Sequence, residues 1–323
     1  MDYKLLGRTG VQVSKFCFGT MSFGGDADAD EAARMYTACR DRGFNFFDCA
    51  DGYSKGRAEE ILGGLIAGHR DELVVASKCF SPTGSDINDR GGTRRHIPRA
   101  VEASLKRLGT DRLDILFMHR FEGNAPVDET LRALEDVVRA GKVIYLGASN
   151  YAAWQIATSL GVSDRHAWTR FDVIQPMYNL VKRQAEVEIF PLALAEQLGV
   201  ITYSPVGGGL LSGKYRPGKR PNDGRLVENA NYVRRYGDEW MLETAGEFCD
   251  FADAKGVHPV TLAVAWAAAH SAVTCPIIGA RSLEQLQPSL DALDFDMPAD
   301  LRDELSALSR RPPPATDRTE TQE

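Results

Sequence analysis

Four residues whose side chains can hold or move a proton stand at or just after the ends of apolar runs in this chain. Asp48 closes the apolar run "FNFFDCA", Tyr53 follows five residues later, Lys78 stands at the end of "LVVASKC", and His119 ends "LDILFMH". Singly, each has a plain reading. A strand-end aspartate forms a turn or caps a helix, a tyrosine lines a wall, a lysine snorkels outward, and a histidine sits satisfied in a core. The conjunction is what points to function: a carboxylate, an ammonium and an imidazole end three successive apolar runs, with a phenol beside them. Asp48 and His119 could also serve a divalent metal in a hydrolase. However, no H-x-H pair stands at a strand end, and Lys78 would be an odd neighbour for such an ion.

The elements that must position these residues are legible as a repeat. Eight short apolar runs recur: "FCFGTMSFG", "FNFFDCA", "LVVASKC", "LDILFMH", "VIYLGASN", "FDVIQPMYN", "GVITYSP" and "CPIIGA". Between them lie segments with apolar residues at spacings of three and four, such as "DEAARMYTACRDRG" and "DETLRALEDVVRAGK". Strands alternating with helices imply parallel pairing, and strands buried on both faces read as nearly continuous apolar runs. Eight such units predict an α/β fold, a (β/α)8 TIM barrel. The rival, a doubly wound sheet, is disfavoured because no G-x-G-x-x-G follows the first strand. "YKLLGRTGVQVSK" predicts an N-terminal β-hairpin ahead of the barrel. "YRPGKRPNDGRLVENANYVRRYGDEW" predicts a long irregular loop at the carboxyl-terminal face. Residues 1–311 read as a single barrel domain, and the polar, Pro-rich 312–323 as a tail with little fixed structure. In such a barrel the carboxyl ends of the strands form the functional face, which explains a carboxylate placed at the end of a buried run.

Composition narrows the classes. The 323 residues are 43% hydrophobic, with 38 basic against 45 acidic side chains and a net charge of −7. That argues against nucleic acid as a partner. The opening "MDYKLLGRTG" has no apolar signal region, and no run approaches the about 20 residues of a membrane span. The six cysteines show no C-x-x-C or zinc-like spacing, and a reducing cytoplasm is the simplest setting.

The stretches "GRTGVQVSKFCFGTMSFGG", "DGYSKGRAEEILG" and "SLKRLGTDRLDILFMHR", together with Asp48, Tyr53, Lys78 and His119, make the chain resemble an aldo-keto reductase over essentially its whole length. The resemblance implies NADP(H)-dependent interconversion of aldehydes or ketones and alcohols, with Tyr53 as general acid/base. A lone tyrosine, with a pKa of about 10, is a sluggish acid at neutral pH. Lys78 is expected to lower it by favouring tyrosinate, Asp48 to hold Lys78, and His119 to orient the carbonyl oxygen or help relay the proton.

The resemblance also implies where the cofactor lies. Ser149, Asn150 and Gln175 match residues that bond the nicotinamide carboxamide, and Tyr203 matches the aromatic that stacks on its ring. "YSPVGGGLLSGKY" matches the pyrophosphate loop, giving Ser204, Pro205, Gly207, Leu210, Ser212 and Lys214 as candidates. Glycines there let backbone come close to a ligand and present N–H groups. Gly279, Ala280, Arg281 and Gln285 match the adenosine end, where Arg281 would favour NADPH over NADH through a 2′-phosphate. Ser289 replaces the asparagine the family commonly uses near adenine, beside Pro288. Phe23, Phe80, Arg120 and Phe121 are expected to wall a pocket for a small carbonyl or alcohol substrate, Arg120 serving as an anchor for an acidic group or as a structural ion pair. The substrate, the direction of reaction and the oligomeric state are not legible. A second reading from the resemblance is a regulatory NADP(H)-binding subunit with little turnover, as in potassium-channel β subunits.

Overall fold

Each of the eight apolar runs forms a strand, because only a strand covered on both sides can bury so continuous a run. The computed structural model describes residues 1–216 and 224–317. A hairpin of β1 (Tyr3–Leu5) and β2 (Gln12–Ser14) comes first. The eight runs then give β3 (Cys17–Gly19), β4 (Phe46–Asp48), β5 (Val74–Cys79), β6 (Leu113–Met118), β7 (Val143–Ser149), β8 (Phe171–Gln175), β9 (Gly199–Thr202) and β10 (Cys275–Ile278). They pair in parallel in chain order, and β10 closes on β3, so the sheet is a closed barrel. This is the (β/α)8 fold the repeat predicted, with the hairpin where it was expected.

Register decides which side chains face inward. Asp48 pairs with Ala76, Lys78 with Phe117, and Ser149 with Gln175. Side chains alternate faces along a strand, so Lys78 shares the face of Ala76, and His119 that of Phe117. Below this rim, Phe46, Ala76, Ile115, Phe117, Val173 and Ile201 fill the barrel, and the hairpin's Leu6 and Val13 join the same cluster. The alternate residues, such as Phe47, Val75 and Leu116, pack outward against the helices. The helix Ile97–Leu108 shows why those segments are helical. Pro98 sits in its first turn, its buried residues recur three and four apart, and Gly109 ends it in the left-handed region at φ 62°.

Gly147 of β7 is dictated by packing: a Cβ there would lie 2.3 Å from the Phe117 ring. Gly147→Ala is therefore expected to overpack the barrel and cost about 1–3 kcal/mol, read as a lower urea midpoint at unchanged slope.

One expectation needs amendment. The segment after β9 is not irregular where it is described, since Arg225–Glu228 and Ala230–Tyr236 are helical; residues 217–223 lie outside the described residues. Leu226 and Tyr232 pack against the core and Tyr236 is buried in it, which anchors both turns. At the other end, 312–317 contains no helix or strand, and 318–323 lie outside the described residues. Among the described residues no helix is long and apolar enough to cross a membrane, and no cluster of His, Cys, Asp or Glu could hold a metal ion. All six cysteines are buried and free.

Candidate active site

Asp48 and His119, at strand ends, and Tyr53, in the loop after β4, line one cavity of about 610 Å³ on the carboxyl-terminal face. Lys78 is fully buried beneath its floor. Its Nζ donates to Asp48 Oδ2 at 2.5 Å, to the Cys49 carbonyl at 2.8 Å and to the Tyr53 hydroxyl at 3.1 Å. Gln175 Nε2 donates to the other Asp48 oxygen at 2.9 Å, so both carboxylate oxygens are engaged. The His119 ring meets the Tyr53 ring edge-on, centroids 6.0 Å apart.

Electrostatics follow from this burial. Desolvation opposes a charge on Lys78, but Asp48 and the Tyr53 oxygen outweigh it and hold the ammonium above its ordinary range. Burial pushes the Tyr53 phenol up to about 12, against the downward pull of Lys78. The sequence reading foresaw only that pull. Tyr53 therefore stays protonated at neutral pH, and the ammonium lowers the cost of its proton leaving. Burial, with Lys78 and Arg120 nearby, holds His119 down at about 3, so its imidazole is neutral. Nδ1 of that ring is buried without a partner among the described residues, which favours the proton on Nε2, since an orphaned donor costs more than an orphaned acceptor.

Asp51, which sequence reasoning passed over, follows Asp48 by three residues and is buried, and neither carboxylate oxygen has a hydrogen-bond partner among the described residues. Burial, helped by Glu59 and opposed by Arg107, pushes its carboxyl up to about 7. A carboxyl raised above its unfolded value of about 3.9 favours folding while protonated, and that contribution is lost as pH rises through the folded value. Asp51→Asn is thus expected to stabilise the protein by about 1–3 kcal/mol at pH 8 and by less at pH 5. Urea midpoints at the two pH values check this. An equal change at both would contradict it.

The residues expected around a nicotinamide form one linked wall. Ser149 Oγ donates to the Gln175 carbonyl, Asn150 Nδ2 donates to the His119 carbonyl and to Ser149 Oγ, and the Tyr203 hydroxyl donates to Asn150 Oδ1 at 2.6 Å. Three residues just past strand ends hold unusual backbone: Phe80 (φ 152°), Asn150 (φ 58°) and Ser204 (φ 60°). Such conformations persist where surrounding structure over-determines them, often at functional sites.

Gly207, Gly208 and Gly209 all adopt positive φ, and a Cβ on Gly208 would sit 2.6 Å from the Tyr232 ring. The N–H groups of Gly207 and Gly209 donate within the turn, to Ser204 and Val206. Close approach of backbone is therefore what this run offers most. Ser204, Pro205, Gly279 and Ala280 line the cavity, as does Ser289. Leu210 is buried outside it, and Gly207, Ser212, Lys214, Arg281 and Gln285 are not part of its wall. Arg281 Nε holds Asp26 Oδ2 at 3.0 Å, with a terminal nitrogen 3.7 Å from Glu228 Oε2. Gln285 Oε1 accepts from the Arg281 backbone N–H.

The donor set fits a nicotinamide dinucleotide. The Gln175 amide oxygen accepts nothing from the described residues, Tyr203 presents a flat wall, and the glycine turn and Gly279 leave backbone bare.

The expected substrate wall is only partly right. Arg120 lines the cavity, but Phe23, Phe80 and Phe121 do not. Phe23 is turned inward onto Phe18, Phe80 packs against the main core, and Phe121 packs on Tyr151 and Trp154. In their place stand Met21, Val206 and residues of the segment after β9, including Arg225, Tyr232 and Arg235. The signal that could have found these was the cluster of arginines and tyrosines in that long connection.

Comparison with other proteins agrees with the geometry. A model of the aldo/keto reductase family matches residues 15–310. A probable voltage-gated potassium channel subunit beta of Arabidopsis thaliana is 38% identical over 301 residues, spanning 91% of this chain and 92% of the relative. An uncharacterized oxidoreductase of Bacillus subtilis is 36% identical over 310 residues, 92% of each chain. A versiconal hemiacetal acetate reductase of Aspergillus parasiticus is 31% identical over 323 residues, 92% of this chain and 94% of the relative. With its closed barrel, its polar rim and a match over nearly its whole length, the chain belongs to the aldo/keto reductase family.

Proposed function

We propose that this oxidoreductase reduces carbonyl compounds with NADPH, Tyr53 giving the proton, and runs the same step backwards on alcohols. The observation that carries the reading is the buried relay Asp48–Lys78–Tyr53, whose last member opens into the cavity beside a neutral His119. When bound, the nicotinamide supplies or accepts the hydride, which no side chain can do. Ser149, Asn150 and Gln175 would hold its carboxamide and Tyr203 would support the ring. The turn from Ser204 to Lys214 would face the pyrophosphate, and Gly279 to Gln285 the adenosine.

The protein's own part is proton transfer and orientation. A carbonyl oxygen reaching both the Tyr53 hydroxyl and His119 Nε2 would receive two hydrogen bonds, polarising it. As negative charge builds on that oxygen, the Tyr53 proton moves to it, and Lys78 stabilises the tyrosinate left behind. Asp48 balances the lysine before the proton leaves, and the negative charge that tyrosinate then carries lies against the Lys78 ammonium. In the oxidative direction tyrosinate is the base.

Preference for NADPH rests on Arg281. Its two carboxylate partners are half exposed, and exposed pairs contribute about 0–1 kcal/mol, so a phosphate can displace them. The test is titration of the protein with NADPH and, separately, NADH, following tryptophan fluorescence, then NADPH consumption with 4-nitrobenzaldehyde. Tighter NADPH binding and steady turnover are expected. Equal affinities would remove Arg281 from the phosphate site, and binding of neither would overturn the reading.

A second reading is favoured by the likeness to relatives named as potassium channel β subunits. In it the chain binds NADP(H) as a regulatory or redox-sensing subunit with little turnover. Sustained multiple turnovers per minute on simple aldehydes would exclude it.

A further inference from the structure

We propose that the substrate carries an anionic group, a carboxylate or phosphoryl, and that Arg120 and Arg235 bind it while Tyr53 and His119 hold the carbonyl. This deepens the carbonyl-reductase reading and rests on it.

The charges around the cavity are lopsided. Its wall holds three guanidinium groups, Arg120, Arg225 and Arg235, and one carboxylate, Asp48. Asp48 is cancelled by Lys78 at 2.5 Å. None of the three arginines has a carboxylate within ion-pair distance among the described residues, whereas Arg70, Arg107, Arg183 and Arg281 each hold one. A chain of net charge −7 thus leaves a focused positive region at one opening, which is how a protein raises the local concentration of anions.

Two of the arginines are also held in place. The Tyr232 ring carries Arg225 at 5.3 Å and Arg235 at 5.2 Å, and Arg225 also donates to the Tyr232 hydroxyl at 3.4 Å. Tyr232 in turn rests where Gly208 lacks a Cβ. Arg225 is thereby a brace for the ring, and Arg235 presents a restrained guanidinium. Arg120 comes from the opposite part of the rim, next to His119 in sequence. Its charge is felt by the His119 ring, and the charges of Arg120 and Arg235 are both felt by the Tyr203 hydroxyl. The Arg235 fork steadied on Tyr232 and the exposed Arg120 fork, neither ion-paired among the described residues, suit a carboxylate or phosphoryl oxygen pair. In the reaction the carbonyl carbon gains hydride from the reduced nicotinamide and the oxygen gains the Tyr53 proton. The anionic group is a bystander that fixes orientation.

The test uses aldehyde pairs that differ in charge at one position: 4-carboxybenzaldehyde against methyl 4-formylbenzoate, succinic semialdehyde against its methyl ester, and glyceraldehyde 3-phosphate against glyceraldehyde. The wild-type protein should favour one anionic member by about 10- to 100-fold in kcat/KM, chiefly through KM. Which pair shows it tells carboxylate from phosphoryl. The preference should shrink with added KCl, and it should collapse toward unity in Arg120→Met and Arg235→Met, with NADPH affinity measured alongside. Equal use of charged and neutral members, or a preference that survives both substitutions, would overturn the proposal and leave the reductase reading standing. Loss of NADPH affinity in Arg235→Met with the preference intact would assign that arginine to the cofactor and also overturn it. Turnover of no aldehyde would remove the reductase reading and this proposal together.

Discussion

Tyr53→Phe is expected to lower carbonyl turnover by about 10²- to 10⁴-fold, the range that general acid catalysis contributes. The substitution removes one oxygen from a site that otherwise stays intact. Lys78 keeps Asp48 and the Cys49 carbonyl, and its contact with the aromatic face, 4.8 Å from the ring centroid, remains available to phenylalanine. Losing the hydroxyl costs one hydrogen bond of the lysine, about 1 kcal/mol, so the melting temperature should move by only a few degrees. NADPH affinity should be unchanged within about twofold, because the hydroxyl hydrogen-bonds only to Lys78 among the described residues. A variant that binds NADPH normally and turns over at the wild-type rate would remove Tyr53 from the chemistry.

Asp48→Asn should have the largest effect on stability. It leaves an ammonium fully buried with neutral acceptors only, the new amide oxygen, a carbonyl and a phenol, and no counter-charge. Removing one member of a buried pair costs about 3–5 kcal/mol, or on the order of 10 °C in Tm. The sign with pH is informative. In the wild-type protein the Lys78 pKa is raised, so its stabilisation is fully present below the unfolded value of about 10.4 and is lost only as pH rises through the folded one. In the variant the carboxylate is gone and desolvation, the largest influence on Lys78, is opposed by Tyr53 alone, which drives the lysine pKa down. The folded variant then binds fewer protons than the unfolded chain, so its stability rises with pH, and the deficit should be larger at pH 6 than at pH 9. Adding Lys78→Met should restore part of the loss, since the double variant no longer buries a lone charge. Additive losses in the double variant would contradict the coupling drawn between these two residues.

The barrel was legible because strands covered on both faces must be apolar along their whole length, and those runs stand out against amphipathic helices. The residues of the proposed relay stand out in the sequence for a related reason. Asp48, Lys78 and His119 are ionisable groups at the ends of runs that otherwise exclude charge, and register then turns them inward. What sequence could not give was side-chain direction beyond a strand end. Phe23 and Phe121 follow strand ends closely yet turn into other clusters, while Tyr232 and Arg235 reach the cavity from far along the chain. Nor could it weigh opposing effects on one group. Lys78 does pull the Tyr53 phenol down, but burial is the larger influence, and only the packed structure reveals that. Arg281 matched a phosphate-binding pattern by position, and its two carboxylate neighbours come from distant segments that no local motif records.

The most direct measurement is transfer of label. The protein would be given an aldehyde and NADPH carrying deuterium at one or the other C4 position, and the alcohol examined by mass spectrometry. One of the two labelled forms is expected to deliver its deuterium to the carbinol carbon and the other is not, with the transfer suppressed in Tyr53→Phe. Alcohol formed without label from either form, or no alcohol at all from a protein that binds NADPH, would contradict it.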